Sequence, residues 1–151
     1  MDLRLLEEVR EFCLGLLQAV GEGGDAVVRA DGEGAYVDLR GSFRLLPVGD
    51  PQFRSALARV ARLHLKRRHG QDIPVLVDIN GEVVAHREEV ARRARDWARQ
   101  ALVENRRIEL SPMPSDDRRT VHLALADFPG VRTFSVGRER SRRVVIEPDV
   151  K

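Results

Sequence analysis

The chain has 151 residues, which gives room for one ordinary domain or two small ones. Its 42% hydrophobic and 33% charged residues indicate a globular protein. No apolar run approaches the roughly 20 residues of a membrane span, and no basic segment precedes an apolar block at the N-terminus. We therefore expect a cytoplasmic protein. The single cysteine, Cys13, excludes an intramolecular disulfide and a cysteine-based zinc site.

Charge is distributed unevenly along the chain. The formal net charge of +2 is too small to indicate nucleic-acid binding by itself. The basic residues are almost all arginine, which favours bidentate phosphate contacts, although a compositional bias of the source explains the excess at least as well. Two basic segments are candidate electrostatic footprints: Arg59, Arg62, Lys66, Arg67, Arg68 and His69, and then Arg132, Arg138, Arg140, Arg142 and Arg143.

The first half of the chain reads as a helix, two strands, a helical stretch and a third strand. Apolar residues at helical spacing predict an amphipathic helix over residues 3–20. Residues 26–30 and 35–40 predict a hairpin around Asp-Gly-Glu-Gly, with Asp38 and Arg40 on a solvated face. A helix from Phe53 to about Arg68 and a strand over residues 75–79 follow.

The second half begins with the longest helical pattern, residues 83–105, in which Trp97 shares the apolar stripe and is expected to pack. Residues 107–110 read as a strand. Ser115 is the expected N-cap of the next helix, which ends at Pro129-Gly130. Residues 131–136 and 142–146 then form a hairpin, on which this helix is expected to pack.

The best chemical clue lies in this last helix, in the run Asp-Arg-Arg-Thr-Val-His at residues 117–122. Arg118 and His122 are four residues apart and therefore share one helix face. A guanidinium is a forked donor suited to phosphate, and an imidazole can stack on a base or donate to a second phosphate oxygen. Such a pair also occurs by chance on solvated helices.

The run from Ser111 to Gly137, followed by Arg142-Arg143-Val-Val-Ile, resembles the R-3-H domain, named for an Arg, three residues and a His. More narrowly, it resembles the C-terminal part of bacterial Jag (SpoIIIJ-associated) proteins, which join a KH domain to an R-3-H domain. The resemblance implies an α+β protein. It places a type II KH-like domain in residues 1–82, and in residues 83–151 a connecting helix with a small R-3-H domain of three strands and packed helices.

The KH part departs from the family pattern. KH domains hold four nucleotides with a Gly-x-x-Gly loop, because only glycine lets the backbone come close to the phosphates. Leu45-Leu46 corresponds to the apolar pair before that loop, but Gly49 has no partner glycine three positions later. Asp50 would repel phosphate and Pro51 has no N–H to donate. We expect a KH-like fold whose usual RNA grip is lost.

The resemblance implies that Arg118 and His122 bind single-stranded nucleic acid. Arg119 points about 100° away on the helix and is a secondary candidate. Arg142 and Arg143 match a basic pair common in Jag-like sequences. They either contact phosphate or solvate the sheet, and they should face opposite sides of a strand.

No nucleophile motif, phosphate-binding glycine loop or metal cage is evident, so we expect no enzyme, cofactor or metal. His64 and His69 are five residues apart, the wrong spacing for one helix face. We expect single-stranded RNA as the ligand, with single-stranded DNA as a variant. The resemblance adds a small KH-domain protein as a partner and a link to bacterial cell division or envelope growth. The alternative is a protein-interaction scaffold that has lost RNA binding.

Overall fold

The computed structural model describes residues 1–149 and shows an α+β fold, as expected. The chain divides into two compact units, Met1–Val84 and Ala85 onward, and each is described by itself. The domain boundary expected between residues 82 and 83 remains a proposal, and residues 150 and 151 of the expected second domain lie outside the described part. The elements are α1 (Leu3–Ala19), β1 (Asp25–Asp31), β2 (Gly34–Arg40), α2 (Pro51–His69), β3 (Val75–Ile79), α3 (Glu82–Glu104), β4 (Ile108–Glu109), α4 (Ser115–Leu125), β5 (Val131–Val136), a 3-10 turn (Glu139–Ser141) and β6 (Arg143–Pro148).

The first unit contains a three-stranded sheet in the order β1-β2-β3. β1 and β2 pair antiparallel across a two-residue turn, with Asp31 opposite Gly34 and Gly32 at φ +58°. β3 runs parallel to β2. α1 and α2 pack on this sheet, and Leu65 is among the fully buried residues of the core. Cys13, 6% exposed, belongs to the same core, and burial raises the pKa of its thiol to about 11.

The prediction of a solvated face on the second strand is wrong. β2 is the central strand, and Asp38 on it is only 1% exposed. Its carboxylate accepts a hydrogen bond from the Gly81 N–H at 3.0 Å and pairs with the Arg40 guanidinium at 2.8 Å. The polar pattern therefore marked a buried acid, one of whose partners is distant in sequence, and strand alternation cannot distinguish such an acid from a solvated one.

Asp78 fixes the start of α3. The residue is fully buried, and its carboxylate accepts hydrogen bonds from the Tyr36 hydroxyl at 2.7 Å and from the N–H groups of Val83 and Val84 at 2.9 and 3.2 Å. Those N–H groups lie in the first helical turn, where no intrahelical acceptor exists. Burial alone would raise the pKa of Asp78, but these hydrogen bonds outweigh it and lower the pKa.

A second carboxylate joins α1 to α2. Glu8 on α1 accepts a hydrogen bond from His69 at 2.8 Å, forms an ion pair with Arg68 at 2.8 Å, and lies 3.4 Å from His64. The His69 hydrogen bond is the main cause that lowers the pKa of Glu8. His64 and His69 are five residues apart and do not share one helix face, but a carboxylate from a neighbouring helix offers each imidazole a different oxygen.

The second unit contains a sheet in the order β4-β6-β5, with antiparallel pairing throughout. Val121 and Leu125 of α4 pack into its core together with three alanines of α3, and Trp97 packs against that core as expected. The expected N-cap is wrong by one position. Pro114 occupies the N-cap in an extended conformation, so Ser115 is the first helical residue and makes no capping bond.

We expect Asp78→Ala to lower the free energy of unfolding by about 3 kcal/mol, because it leaves buried donors without an acceptor. Urea unfolding followed by circular dichroism measures this loss. Asp72→Ala is the matched control, since Asp72 forms an exposed ion pair with Arg62 and such pairs contribute about 0–1 kcal/mol. Equal losses in the two variants would contradict the assigned role of Asp78.

The lowered pKa of Asp78 also predicts a pH dependence. Its carboxylate stabilises the fold above the unfolded-state pKa of about 4, and this contribution is lost as the pH falls through the folded-state pKa. The stability difference between wild type and Asp78→Asn should therefore be constant near neutral pH and shrink in acid. A difference that stays constant down to pH values of about 2 would contradict this.

Candidate nucleic-acid interface

Helix α4 carries three of the five candidate residues. Arg118 is half-buried, and its Nη1 donates to the Met113 carbonyl at 2.6 Å. Arg119 is exposed and makes no side-chain hydrogen bond or ion pair within residues 1–149. The bond to Met113 uses one of the five guanidinium N–H donors of Arg118, so the other four can serve an external acceptor.

His122 is held against the sheet by two hydroxyl groups. Its Nδ1 lies 2.7 Å from Thr133 Oγ1, and its Nε2 lies 2.9 Å from Ser135 Oγ. Thr133 and Ser135 are two residues apart on β5 and therefore point to the same face of the sheet. The imidazole thus fixes α4 to β5 at a defined position along the strand.

The surroundings of His122 favour its neutral form. Burial lowers the pKa of the imidazole, and the positive charges of Arg118 and Arg142 lower it further. In a neutral imidazole one nitrogen donates and the other accepts, and a hydroxyl can satisfy either. Because both nitrogens are engaged, the imidazole cannot donate to a phosphate without giving up a hydroxyl partner.

Arg142 and Arg143 reach different partners. Arg142 donates from Nη1 to the Gly137 carbonyl at 2.9 Å, and its charge acts on His122. Its backbone carbonyl accepts from the Met113 N–H at 3.3 Å, which ties the segment before α4 to the start of β6. Arg143 instead pairs with Glu109 of β4 at 3.2 Å. The structure therefore brings Arg118, His122 and Arg142 together and leaves Arg143 in a separate contact.

A recess of about 580 Å³ adjoins Arg118. Its walls combine apolar side chains with two guanidinium groups, a hydroxyl and a carboxylate, supplied by Pro112, Met113, Pro114, Ser115, Arg118, Glu139 and Arg140. Glu139 has a φ of +50°, a backbone conformation that a residue with a side chain seldom adopts. The recess offers an apolar surface beside a cation, which is the combination a nucleobase and its phosphate require.

Sequence reasoning missed Thr133, Ser135 and Met113. Met113 contributes a backbone carbonyl, for which the residue type gives no signal. Thr133 and Ser135 alternate with Phe134 and Val136, so the strand pattern indicated two polar residues on one face. Nothing in that pattern showed that the face turns toward α4 and His122.

The described residues, 1–149, hold no group of three or more His, Cys, Asp or Glu side chains arranged to bind a metal ion. Within the same residues, every helix is too short or too polar to cross a bilayer.

We expect Arg118→Gln to raise the pKa of His122, because the substitution removes a positive charge that disfavours the imidazolium. A pH titration of the imidazole proton signals by NMR measures the change. Arg119→Gln is the matched control, since it removes the same charge from an exposed neighbour. Equal shifts in the two variants would mean that Arg118 has no specific contact with His122.

Comparison with known proteins identifies relatives of the chain. Residues 88–148 match the R-3-H domain family. The chain is 26% identical to RNA-binding protein KhpB of Bacillus subtilis over 144 residues, which cover 93% of this chain and 69% of that protein. It is 29% identical over 92 residues to KhpB of Lactiplantibacillus plantarum and 30% identical over 95 residues to KhpB of Streptococcus pneumoniae. Those two alignments cover 61% and 62% of this chain but 29% of each relative. Residues 88–148 are therefore similar to the R-3-H domain family, and the chain is similar to the KhpB proteins.

Proposed function

We propose that this protein binds single-stranded RNA through the surface of the second unit formed by Arg118, Arg119, Arg142 and the edge of His122. The observation that carries the proposal is the pair of guanidinium groups, Arg118 and Arg142, whose positive charges both act on the His122 imidazole and, with its burial, lower its pKa. Each is held by one backbone carbonyl and keeps further donors for phosphate. The RNA-binding names of the relatives support the same ligand.

His122 then acts mainly by position. Its bonds to Thr133 and Ser135 hold α4 on β5 and so fix where Arg118 presents its donors. Because the imidazole is neutral, it does not attract a phosphate by charge. Its exposed part remains available for stacking on a base. Removing the ring should loosen the helix at this point and weaken binding without removing a phosphate contact.

Base contacts are proposed for the recess beside Arg118. Proline and methionine side chains give a base a surface to pack on, and the Arg140 guanidinium can stack over it. Backbone contacts of the Arg118 kind carry little sequence information, so we expect weak sequence preference. Arg143 stays a lesser candidate, because Glu109 already neutralises its charge.

The remaining expectations rest on the resemblance. We propose that the first unit, near residues 1–82, is a KH-like domain that lacks the Gly-x-x-Gly grip, and that residues 83–151 carry the main RNA contact. In this proposal Asp50 serves the fold instead, since it caps α2 by accepting from the Gln52 N–H at 2.9 Å. A binding role without catalysis, a cytoplasmic location, a small KH-domain partner and a link to cell division or envelope growth remain predictions.

We expect Arg118→Ala to weaken RNA binding by about tenfold or more at low salt, because charge-assisted hydrogen bonds to phosphate are lost. Fluorescence anisotropy with short single-stranded RNA, single-stranded DNA and duplex RNA at several salt concentrations measures the change. The slope of log affinity against log salt should become shallower by about 0.7 for each phosphate contact removed.

Arg132→Ala is the control for this experiment. Arg132 precedes Thr133 on β5, so it faces the other side of the strand, and its guanidinium is paired with Glu147. The variant should bind RNA nearly as well as wild type. Equal losses of RNA affinity in Arg118→Ala and Arg132→Ala would contradict the site assignment. No RNA binding by wild type at low salt would favour the protein-interaction scaffold.

A further inference from the structure

Helix α2 of the first unit has an unusual charge content. It has no aspartate or glutamate, and it carries six arginine or lysine residues and two histidines: Arg54, Arg59, Arg62, His64, Lys66, Arg67, Arg68 and His69. The whole chain has a formal net charge of only +2. The excess positive charge of this helix is therefore compensated elsewhere in the chain and not within the helix.

Four of these basic residues already have acidic partners. Arg62 holds Asp72 with donors at 2.8 and 2.9 Å. Arg68 and the two histidines all contact Glu8. Each of these contacts ties α2 to another segment of the first unit, so they explain part of the basic sequence by the fold alone.

Three other cations point outward without an acidic partner. Arg59, Lys66 and Arg67 are exposed and form no ion pair within residues 1–149. Arg59 and Lys66 are seven residues apart, so they lie close to one line of the helix with an axial separation of about 10.5 Å. Arg67 lies beside them on the same outward side, about 100° from Lys66.

Two large apolar side chains lie among these cations. Leu63 is 57% exposed and Val60 is 45% exposed. At helical spacing Leu63 falls between the lines that carry Arg59 and Arg67, and Val60 lies within about 20° of the Arg67 line. Lysine and arginine close to exposed apolar side chains suit a ligand that is both anionic and apolar in part.

We propose that this face of α2, formed by Arg59, Lys66, Arg67, Val60 and Leu63, is a second contact surface for single-stranded RNA. The inference rests on the proposed function for the nature of the ligand but uses a separate set of residues. The cations match a phosphate backbone, and the exposed Leu63 and Val60 match unstacked bases, which a duplex does not offer. If the surface instead held an acidic helix of a protein partner, changes on this face would leave RNA binding unaffected.

The surface would give the first unit an RNA contact without a glycine loop. Side chains on a helix reach phosphates from a distance, so no close backbone approach is needed. A strand that touches both units would then gain from the second contact, because linked sites bind with a raised effective concentration. Removing the α2 surface should therefore cost more affinity with a long oligonucleotide than with a short one.

The test compares two triple variants that remove the same charge. Arg59→Ala/Lys66→Ala/Arg67→Ala removes the three exposed cations of the proposed surface. Arg92→Ala/Arg93→Ala/Arg132→Ala removes three cations that are paired with Glu89 or Glu147. Alanine is the best helix former, so α2 should remain folded, and circular dichroism checks this.

The outcome is measured by fluorescence anisotropy with single-stranded RNA of about 8 and about 30 nucleotides. These lengths are chosen from the site sizes of single-strand-binding proteins. With the longer RNA we expect the α2 variant to lose at least tenfold in affinity and to flatten the salt slope by about 2, at about 0.7 for each of three phosphates. The control variant should stay within about twofold of wild type, since paired cations contribute little to an external ligand. Leu63→Ser should weaken binding and leave the salt slope unchanged.

Equal losses of affinity in the two triple variants would mean that only total charge matters, and would overturn the proposal. An α2 variant that binds RNA as well as wild type would also overturn it. Arg118→Ala, measured in parallel, separates the two hypotheses. Loss of binding in Arg118→Ala alone would overturn the α2 surface and keep the proposed function. Loss of binding in the α2 variant alone would overturn the proposed Arg118 site and keep the α2 surface.

Discussion

The contact between the His122 imidazole and two hydroxyl groups of β5 is the constraint on which the candidate site depends. It connects a helix to the middle of a strand, and so fixes where the candidate side chains of α4 lie on the sheet. Arg118 lies one turn before His122 and donates a hydrogen bond to the Met113 carbonyl. The backbone N–H of Met113 in turn donates to the Arg142 carbonyl. A chain of short polar contacts thus joins the loop before α4, the helix and the sheet. Such networks hold donors in place before a ligand arrives, which lowers the entropy cost of binding.

The partners of the basic residues decide which of them can act on an external ligand. Arginines such as Arg62, Arg92 and Arg143 are each paired with a carboxylate and leave little field outside the protein. The net charge of the chain therefore does not show how strongly the positive potential differs from one part of its surface to another. Clusters of unpaired cations on a background of paired ones create local positive potential even when the net charge is close to zero. This arrangement allows a nearly neutral protein to attract a polyanion at particular places.

Local pattern predicted most of the elements, because helical and strand periods reflect which face is buried. The hairpin of β1 and β2 and the stripe that includes Trp97 lie where periodicity indicated. Long-range polar pairing was not predictable in this way. Asp38 looked solvated because its partner Gly81 is 43 residues away, and Glu8 gave no sign that it meets two imidazoles from α2. The Arg118/His122 face was evident from four-residue spacing, whereas the hydroxyls that occupy His122 depend on how α4 packs on β5.

The burial of Cys13 determines how this protein reacts with thiol-labelling reagents. Its thiol, with a pKa raised to about 11, is ionised in only about one molecule in ten thousand at neutral pH, and the thiolate is the reactive form. The sequence has no other cysteine. The native chain should therefore be nearly inert to maleimide and iodoacetamide reagents. A cysteine introduced on either unit would be the single reactive thiol, so a dye or a photocrosslinker can be attached at one chosen point without replacing Cys13.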